Sequence, residues 1–379
     1  MNPPSDRPDT STGLFRRLQV DVLSLEETVR TDIWSASGQL LLAKGQVIST
    51  PGQLRLLAER DAQVSTAHTH ESEAGALHVS AMPAGLNPLS AWPLLHGRLS
   101  RLLHLTVQSG DFVARTERLH STALELLASH REKSLFMLVQ MVYDTERGYC
   151  ASHALLCAAI CQIVAEEAGL PVPAQQALFN AALTMNIAMG TLQDELAQQS
   201  LPLDASQRTA VDSHAQDSAT QLRQLGVTDP LWLDLVSTHH QADRLQTQAA
   251  QILPMVDVYV ACISPRRTRH GLRPQKATRE AFLQSQQQGG SLGAVLVKAL
   301  GVYPTGTYVR LESGEVAVVT GQGKQANHPL TFAIRGRNGL TFDSPASRDT
   351  AEAGYAVRES LVADDVSIRL NAARLFRQT

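Results

Sequence analysis

At 379 residues the chain is long enough for two or three domains. Hydrophobic residues make up 43% and charged residues 18%, a globular balance, and the net charge of −3 gives no general attraction to nucleic acid or to an anionic membrane. Four cysteines are too few for a disulfide scaffold, and none lies in a C-x-x-C pair, so there is no zinc-knuckle or thioredoxin signature; reduced thiols in a cytoplasmic protein are expected.

Residues 1–13 are polar and Pro-rich, a disordered tail without the apolar core of a signal peptide. Residues 14–66 read as a small α+β module. Residues 18–22 alternate like a strand, and the short apolar runs at 32–34 and 39–42 flank a Ser-Ala-Ser-Gly turn. Leu54, Leu56 and Leu57 give residues 51–60 helical spacing. Residues 67–95, rich in Ala, His, Ser, Pro and Gly without periodicity, read as a linker.

From 96 to 300 the period is helical. Gly169 with Pro171 and Pro173 marks one helix end and the next start, and Gly226 stops a helix carrying Val211, His214, Ser218 and Leu222 on one face. Pro230 opens the next helix, which ends at His239-His240. The helix over about 248–263 is apolar on all sides, which predicts a central place in the bundle. The longest apolar run, around 154–165, is interrupted by Gln162 and reads as too short to cross a bilayer, so no membrane insertion is expected. From 301 the period changes to two. Strands are expected at 307–311, 315–319, 330–335, 340–342 and 366–370, with a hairpin turn at Asn338-Gly339. The fold class is therefore mainly α: a helical bundle with a small N-terminal α+β module and a small β appendage at 301–379.

Four stations in the helical region carry chemistry. His153 precedes Leu156 and Ile160 by three and seven residues and so faces the core. His214 faces inward with Leu222, and His239 and His240 follow Val236 by three and four residues. Singly, each histidine reads as a core residue satisfied by a carbonyl; together they demand several buried partners. Asp257 stands alone in an apolar helix, where an ionised carboxylate costs several kcal/mol unless paired or metal-bound. It is either a metal ligand or a structural Asp beside Pro254. Imidazole and carboxylate together suit zinc, iron, manganese or nickel. Arg266, Arg267 and Arg269 form a basic run that is either a solvated loop or a holder of an anionic ligand.

The ordered segments Tyr149-Cys-Ala-Ser-His153, Ala181-Ala-Leu-Thr-Met-Asn186, Asp212-Ser-His214, Ser237-Thr-His-His240 and Val256-Asp257 resemble the motifs of the HD-GYP subgroup of the HD phosphohydrolases. Gly301-Val-Tyr-Pro304 and the segment 308–319 resemble the sequence that often follows that core, and Leu41-Leu-Ala-Lys-Gly-Gln46 an N-terminal module common in the group. The resemblance implies an HD-type bundle and hydrolysis of cyclic di-GMP at a two- or three-metal centre. It carries the histidine ligands to His153, His214, His239 and His240, the late aspartate to Asp257, and residues near the nucleotide phosphates to the Arg266 run. The family's His-Asp pair, whose Asp bridges metals, falls on Met185 and Asn186; its following lysine falls on Met189; the Gly-Tyr-Pro loop is missing.

A thioether is a poor ligand for a hard ion, and Asn186 offers a neutral oxygen where a bridging anion is needed. Two cations without that anion repel. The expectation is one ion at most, on His214, His239 and His240, or none, with the histidines bonded to Asn186 and Asp257. Three readings follow: a non-catalytic signalling protein that binds a nucleotide second messenger or a protein partner, a phosphodiesterase with a reduced His-rich site, and a structural adaptor. A homodimer is compatible with each.

Overall fold

Short alternating segments pair into a sheet before residue 66. In the computed structural model β1 (Phe15–Arg17), β2 (Ile33–Trp34), β3 (Leu40–Leu42) and β4 (Gln63–Ser65) are antiparallel in the order β1-β4-β2-β3. The structure describes residues 87–104, 111–241, 246–267, 271–287, 290–366 and 370–376, with 244, 368 and short stretches between 15 and 65. Val29, Ile33, Leu42, Ile48, Leu57 and Ala62 form the core of this sheet, and Gln53, Leu56 and Leu57 are helical. The tail at 1–13 and the strand expected at 18–22 lie outside the described residues. β4 was not anticipated from the alternation.

Residues 1–83 and 84–379 are two separate compact units. The second begins with α1 (Pro88–Leu103), whose first turn is capped by Asn87 Oδ1 accepting from the Leu89 N–H at 3.1 Å. Residues 88–95, expected to belong to a linker over 67–95, are helix instead, and 67–86 lie outside the described residues. Trp92, Leu95 and Leu99 are spaced along one helical face and are fully buried, and that spacing is hidden by the Pro93 and Gly97 between them. α2 (Phe112–Tyr143) kinks at His130, where φ is −147° and ψ 52°. Ser134 Oγ spans the kink and donates to the Leu126 carbonyl at 3.1 Å.

α3 (Tyr149–Glu167) is the centre of the bundle. Every residue from 149 to 165 is buried. No charge falls in that stretch, and its many Ala, Cys and Ser residues let neighbours approach closely. α3 packs against α1, α2, α4 (Val172–Thr184), α5 (Gly190–Gln198), α8 (Gln248–Ile263) and α10 (Leu292–Leu300). The central helix is thus α3 rather than α8, which leaves Val258 43% exposed. By length and composition α3 is also apolar enough to cross a bilayer, which corrects the expectation from the 154–165 run; 94% of it lies inside the fold.

α6 (Ala205–Gln224), started by an Asp204–Gln207 capping box, packs on α7 (Pro230–Thr238), whose first turn is capped by Asp229. α8 runs on through Pro254 to α9 (Pro274–Gln287) and α10. The chain then enters an antiparallel sheet of β5 (Tyr308–Leu311), β6 (Val316–Gly321), β7 (Leu330–Arg335), β8 (Thr341–Asp349) and β9 (Val357–Leu361), ordered β8-β7-β6-β5-β9. Tyr308, Val318, Phe332 and Leu361 close one face over Phe136 of α2. Residues 366, 368 and 370 are not strand, a correction to the expectation at 366–370. Val366 and its neighbours fold under that same face, with α11 (Ala372–Leu375) behind them.

Candidate metal centre

One helix face and one helix end build the first cluster. His214 projects from the middle of α6, His239 is the C-cap of α7, and His240 follows it at the surface. Their nearest ligand nitrogens all lie within 4.8 Å of one another. His214 and His239 are 3% exposed, whereas His240 is open to solvent.

Hydrogen bonding presets two of these rings. His214 Nδ1 lies 2.6 Å from the Val211 carbonyl, and His239 Nδ1 lies 2.7 Å from the Val236 carbonyl. A carbonyl can only accept, so each neutral ring carries its hydrogen on Nδ1 and presents a bare Nε2. The two Nε2 atoms face each other at 3.3 Å. Two lone pairs so placed repel until a cation joins them. A proton is disfavoured: burial and the neighbouring His240 hold His239 down at about 4, and burial lowers His214 as well. Two nitrogens about 2.0–2.1 Å from a zinc ion at the tetrahedral angle would sit roughly 3.3–3.4 Å apart. The His214–His239 pair therefore fits one ion with His240 within reach, and the backbone carbonyls supply the outer hydrogen bonds that orient the first two rings.

A second cluster joins α3 to α8. His153 Nε2 is 2.8 Å from Asp257 Oδ1 and 3.4 Å from Cys157 Sγ, with all three ligand atoms within 4.8 Å. Burial opposes the charge on Asp257, but the hydrogen bond from His153 and the nearby charges of His239 and His240 outweigh it and hold the carboxyl at about 2. His239 and His240 are thus close enough to act electrostatically on Asp257. Tyr149 stacks on His153 and sets its hydroxyl 3.4 Å from His153 Nδ1. Arg266 lies over the Tyr149 ring and donates from Nη2 to its hydroxyl at 2.6 Å.

The five residues singled out by spacing thus fall into two adjoining clusters. Tyr149 and Cys157, four residues either side of His153, complete one of them and were passed over in the sequence. The i±4 spacing on one helix face was the available signal. Arg266 reaches the site through Tyr149, and its Nε is buried without a hydrogen-bond partner. Arg267 is exposed, and its backbone N–H is bound to the Ala197 carbonyl at 2.9 Å. Arg269 lies outside the described residues. Met185 is 1% exposed at the end of α4, and Asn186, 7% exposed, opens the 3-10 turn Ile187–Met189. Among the described residues no hydrogen bond links the Asn186 side chain to a histidine, whereas the His153–Asp257 bond is present.

A cyclic di-GMP phosphodiesterase of Pseudomonas aeruginosa is 26% identical over 200 residues, which cover 50% of this chain and 48% of that protein. Over that half of its length the chain is similar to a cyclic di-GMP phosphodiesterase. It spans about half the length of this curated relative. No family model matches the chain. A solved HD-GYP-type protein from Bdellovibrio bacteriovorus is similar over 75% of this chain and 98% of that one, at 10% identity and a TM-score of 0.48.

Proposed function

We propose that this protein is a degenerate HD-GYP receptor in cyclic di-GMP signalling, holding one divalent ion on His214, His239 and His240. The observation that carries the reading is a preset imidazole triad beside a site without a bridging carboxylate. Asn186 is neutral, and Asp257 is already engaged by His153. An ion on the triad would supply Lewis acidity toward a phosphoryl oxygen. The half-buried Arg266 offers an unsatisfied N–H to an anionic ligand, while Tyr149 holds its guanidinium in place. The name of the curated relative supports cyclic di-GMP as the nucleotide to test first.

The imidazole preorganisation favours a second reading, a slow phosphodiesterase working with one ion. Metal analysis and calorimetric titration with cyclic di-GMP, on protein purified without chelator, decide between them. The receptor reading expects an ion that is lost in His239→Ala, binding of the dinucleotide, and no hydrolysis above background. Turnover abolished by His239→Ala would establish the enzyme, and failure to bind the dinucleotide would remove the receptor.

A further inference from the structure

Arg266, Tyr149, His153 and Asp257 make contact in a row. Arg266 Nη2 donates to the Tyr149 hydroxyl at 2.6 Å, that hydroxyl lies 3.4 Å from His153 Nδ1, and His153 Nε2 lies 2.8 Å from Asp257 Oδ1. α3 supplies the middle pair. Residues 149 and 153 are one helical turn apart, and their rings stack at 5.4 Å and 19°.

One order of donors and acceptors satisfies the whole row. A guanidinium can only donate, so the Tyr149 oxygen accepts from Arg266 and keeps its own hydrogen to give. An ionised carboxylate can only accept, so the hydrogen of a neutral His153 ring sits on Nε2 and leaves Nδ1 bare. The Tyr149 O–H is the donor that meets it. The bonds then run one way, from the cation at Arg266 to the anion at Asp257, across two neutral rings. His153 thus holds the opposite tautomer to His214 and His239, whose hydrogens are on Nδ1.

We propose that Tyr149 is a positioning residue that couples Arg266 to the His153–Asp257 pair, so that an anion met by Arg266 is felt at His153. Inside the fold each hydrogen bond polarises the next. An anion on Arg266 Nε, which is buried without a partner, offsets the guanidinium charge. The Tyr149 hydroxyl then donates less strongly to Nδ1. The row itself needs no metal; the part played by the anion rests on the receptor reading above.

Nitrogen-15 spectra of the metal-free, full-length protein labelled at histidine test the coupling without any ligand. The His153 signals are those lost in His153→Gln. The wild type should show a protonated Nε2 and a bare, hydrogen-bonded Nδ1, a result that needs no variant of the row to fold. Tyr149→Phe keeps the ring stack, removes the hydroxyl and should move Nδ1 downfield. Arg266→Ala, which reaches His153 through Tyr149, should also move Nδ1, and should have no effect once Tyr149 is Phe. A proton on Nδ1 of the wild type overturns the proposal. So does an Arg266→Ala shift that is absent, or that survives in the Tyr149→Phe background. On the receptor reading, Tyr149→Phe also binds cyclic di-GMP roughly tenfold more weakly, the worth of one charge-assisted hydrogen bond. Unchanged affinity overturns the positioning role. A wild type that does not bind the dinucleotide removes the receptor and leaves the spectra to decide the coupling.

Discussion

Imidazoles are the residues on which this molecule is most sensitive to pH. Burial lowers His120 from 6.5 to about 4, and the same cause, partly offset by the Gly148 carbonyl, takes His96 to about 4. Both are charged in the unfolded chain below pH 6.5 and neutral in the fold. The unfolded state therefore binds more protons, and stability is lost as pH falls from about 6.5 towards 4. His120 alone accounts for roughly 3 kcal/mol of that loss. Its ring stacks on Phe179 at 4.4 Å and its Nε2 has no partner, so an aromatic hydrocarbon can replace it. His120→Phe should leave the thermal midpoint at pH 7 unchanged or higher and flatten its decline below pH 6.5. An undiminished slope would refute the assignment. Chemistry at this scale was legible where side chains are rare in their setting: His153, His214, His239, His240 and Asp257 stand out against apolar neighbours. Cys157 did not, because a cysteine in an Ala-rich helix looks like packing until the helix across from it is known.

Among the elements, the turn between α4 and α5 is where the resemblance puts the missing metal ligands, on Met185 and Asn186. Met185 is packed in the core and Asn186 opens the 3-10 turn, so Met185→His with Asn186→Asp places two ligand side chains at a fixed backbone position. The double variant should bind more metal per chain than the wild type, by mass spectrometry of protein dialysed against zinc. Its metal-free form should be less stable, because a buried imidazole replaces a fitted thioether. Unchanged occupancy would mean that these positions do not face the ions. The seam between α2 and the sheet is equally specific. Gly306 has φ +89°, and a β-carbon there would lie 2.8 Å from Val139 Cβ and 3.1 Å from the Phe136 carbonyl. Gln140 also donates to the Gly306 carbonyl at 2.7 Å. Gly306→Ala should cost about 2–4 kcal/mol through strain and overpacking together, read as a lowered denaturation midpoint. Helix ends were legible from Gly169, Gly226, Pro230 and Asp229, since a cap is a local device. The start of α1 was not, because its burial is set by helices distant in sequence.

At the scale of the whole molecule, residues 84–379 form one compact unit, and the C-terminal sheet is part of it. Phe136, Met137 and Tyr143 of α2 are covered by that sheet and by the segment that follows it. A chain ending at residue 300 should therefore aggregate or bind a hydrophobic dye. A chain beginning at residue 84 should fold and keep the metal content of the full protein. If the shorter chain ending at 300 stayed monomeric and cooperative, the sheet would be a separate domain after all. The change of period at 301 announced the sheet, but nothing local in the sequence said that α2 would be half covered by it.

The burial of α3 has a consequence for biosynthesis. This rod leaves the ribosome complete at Glu167, but the helix that closes over Asp257's side of it ends only at Ile263. At a translation rate of about 5–20 residues per second, that gap lasts on the order of ten seconds. For that interval the nascent chain displays a greasy segment long enough for an insertase to accept. Its correct fate rests on α4, made within the next few residues, shielding it first.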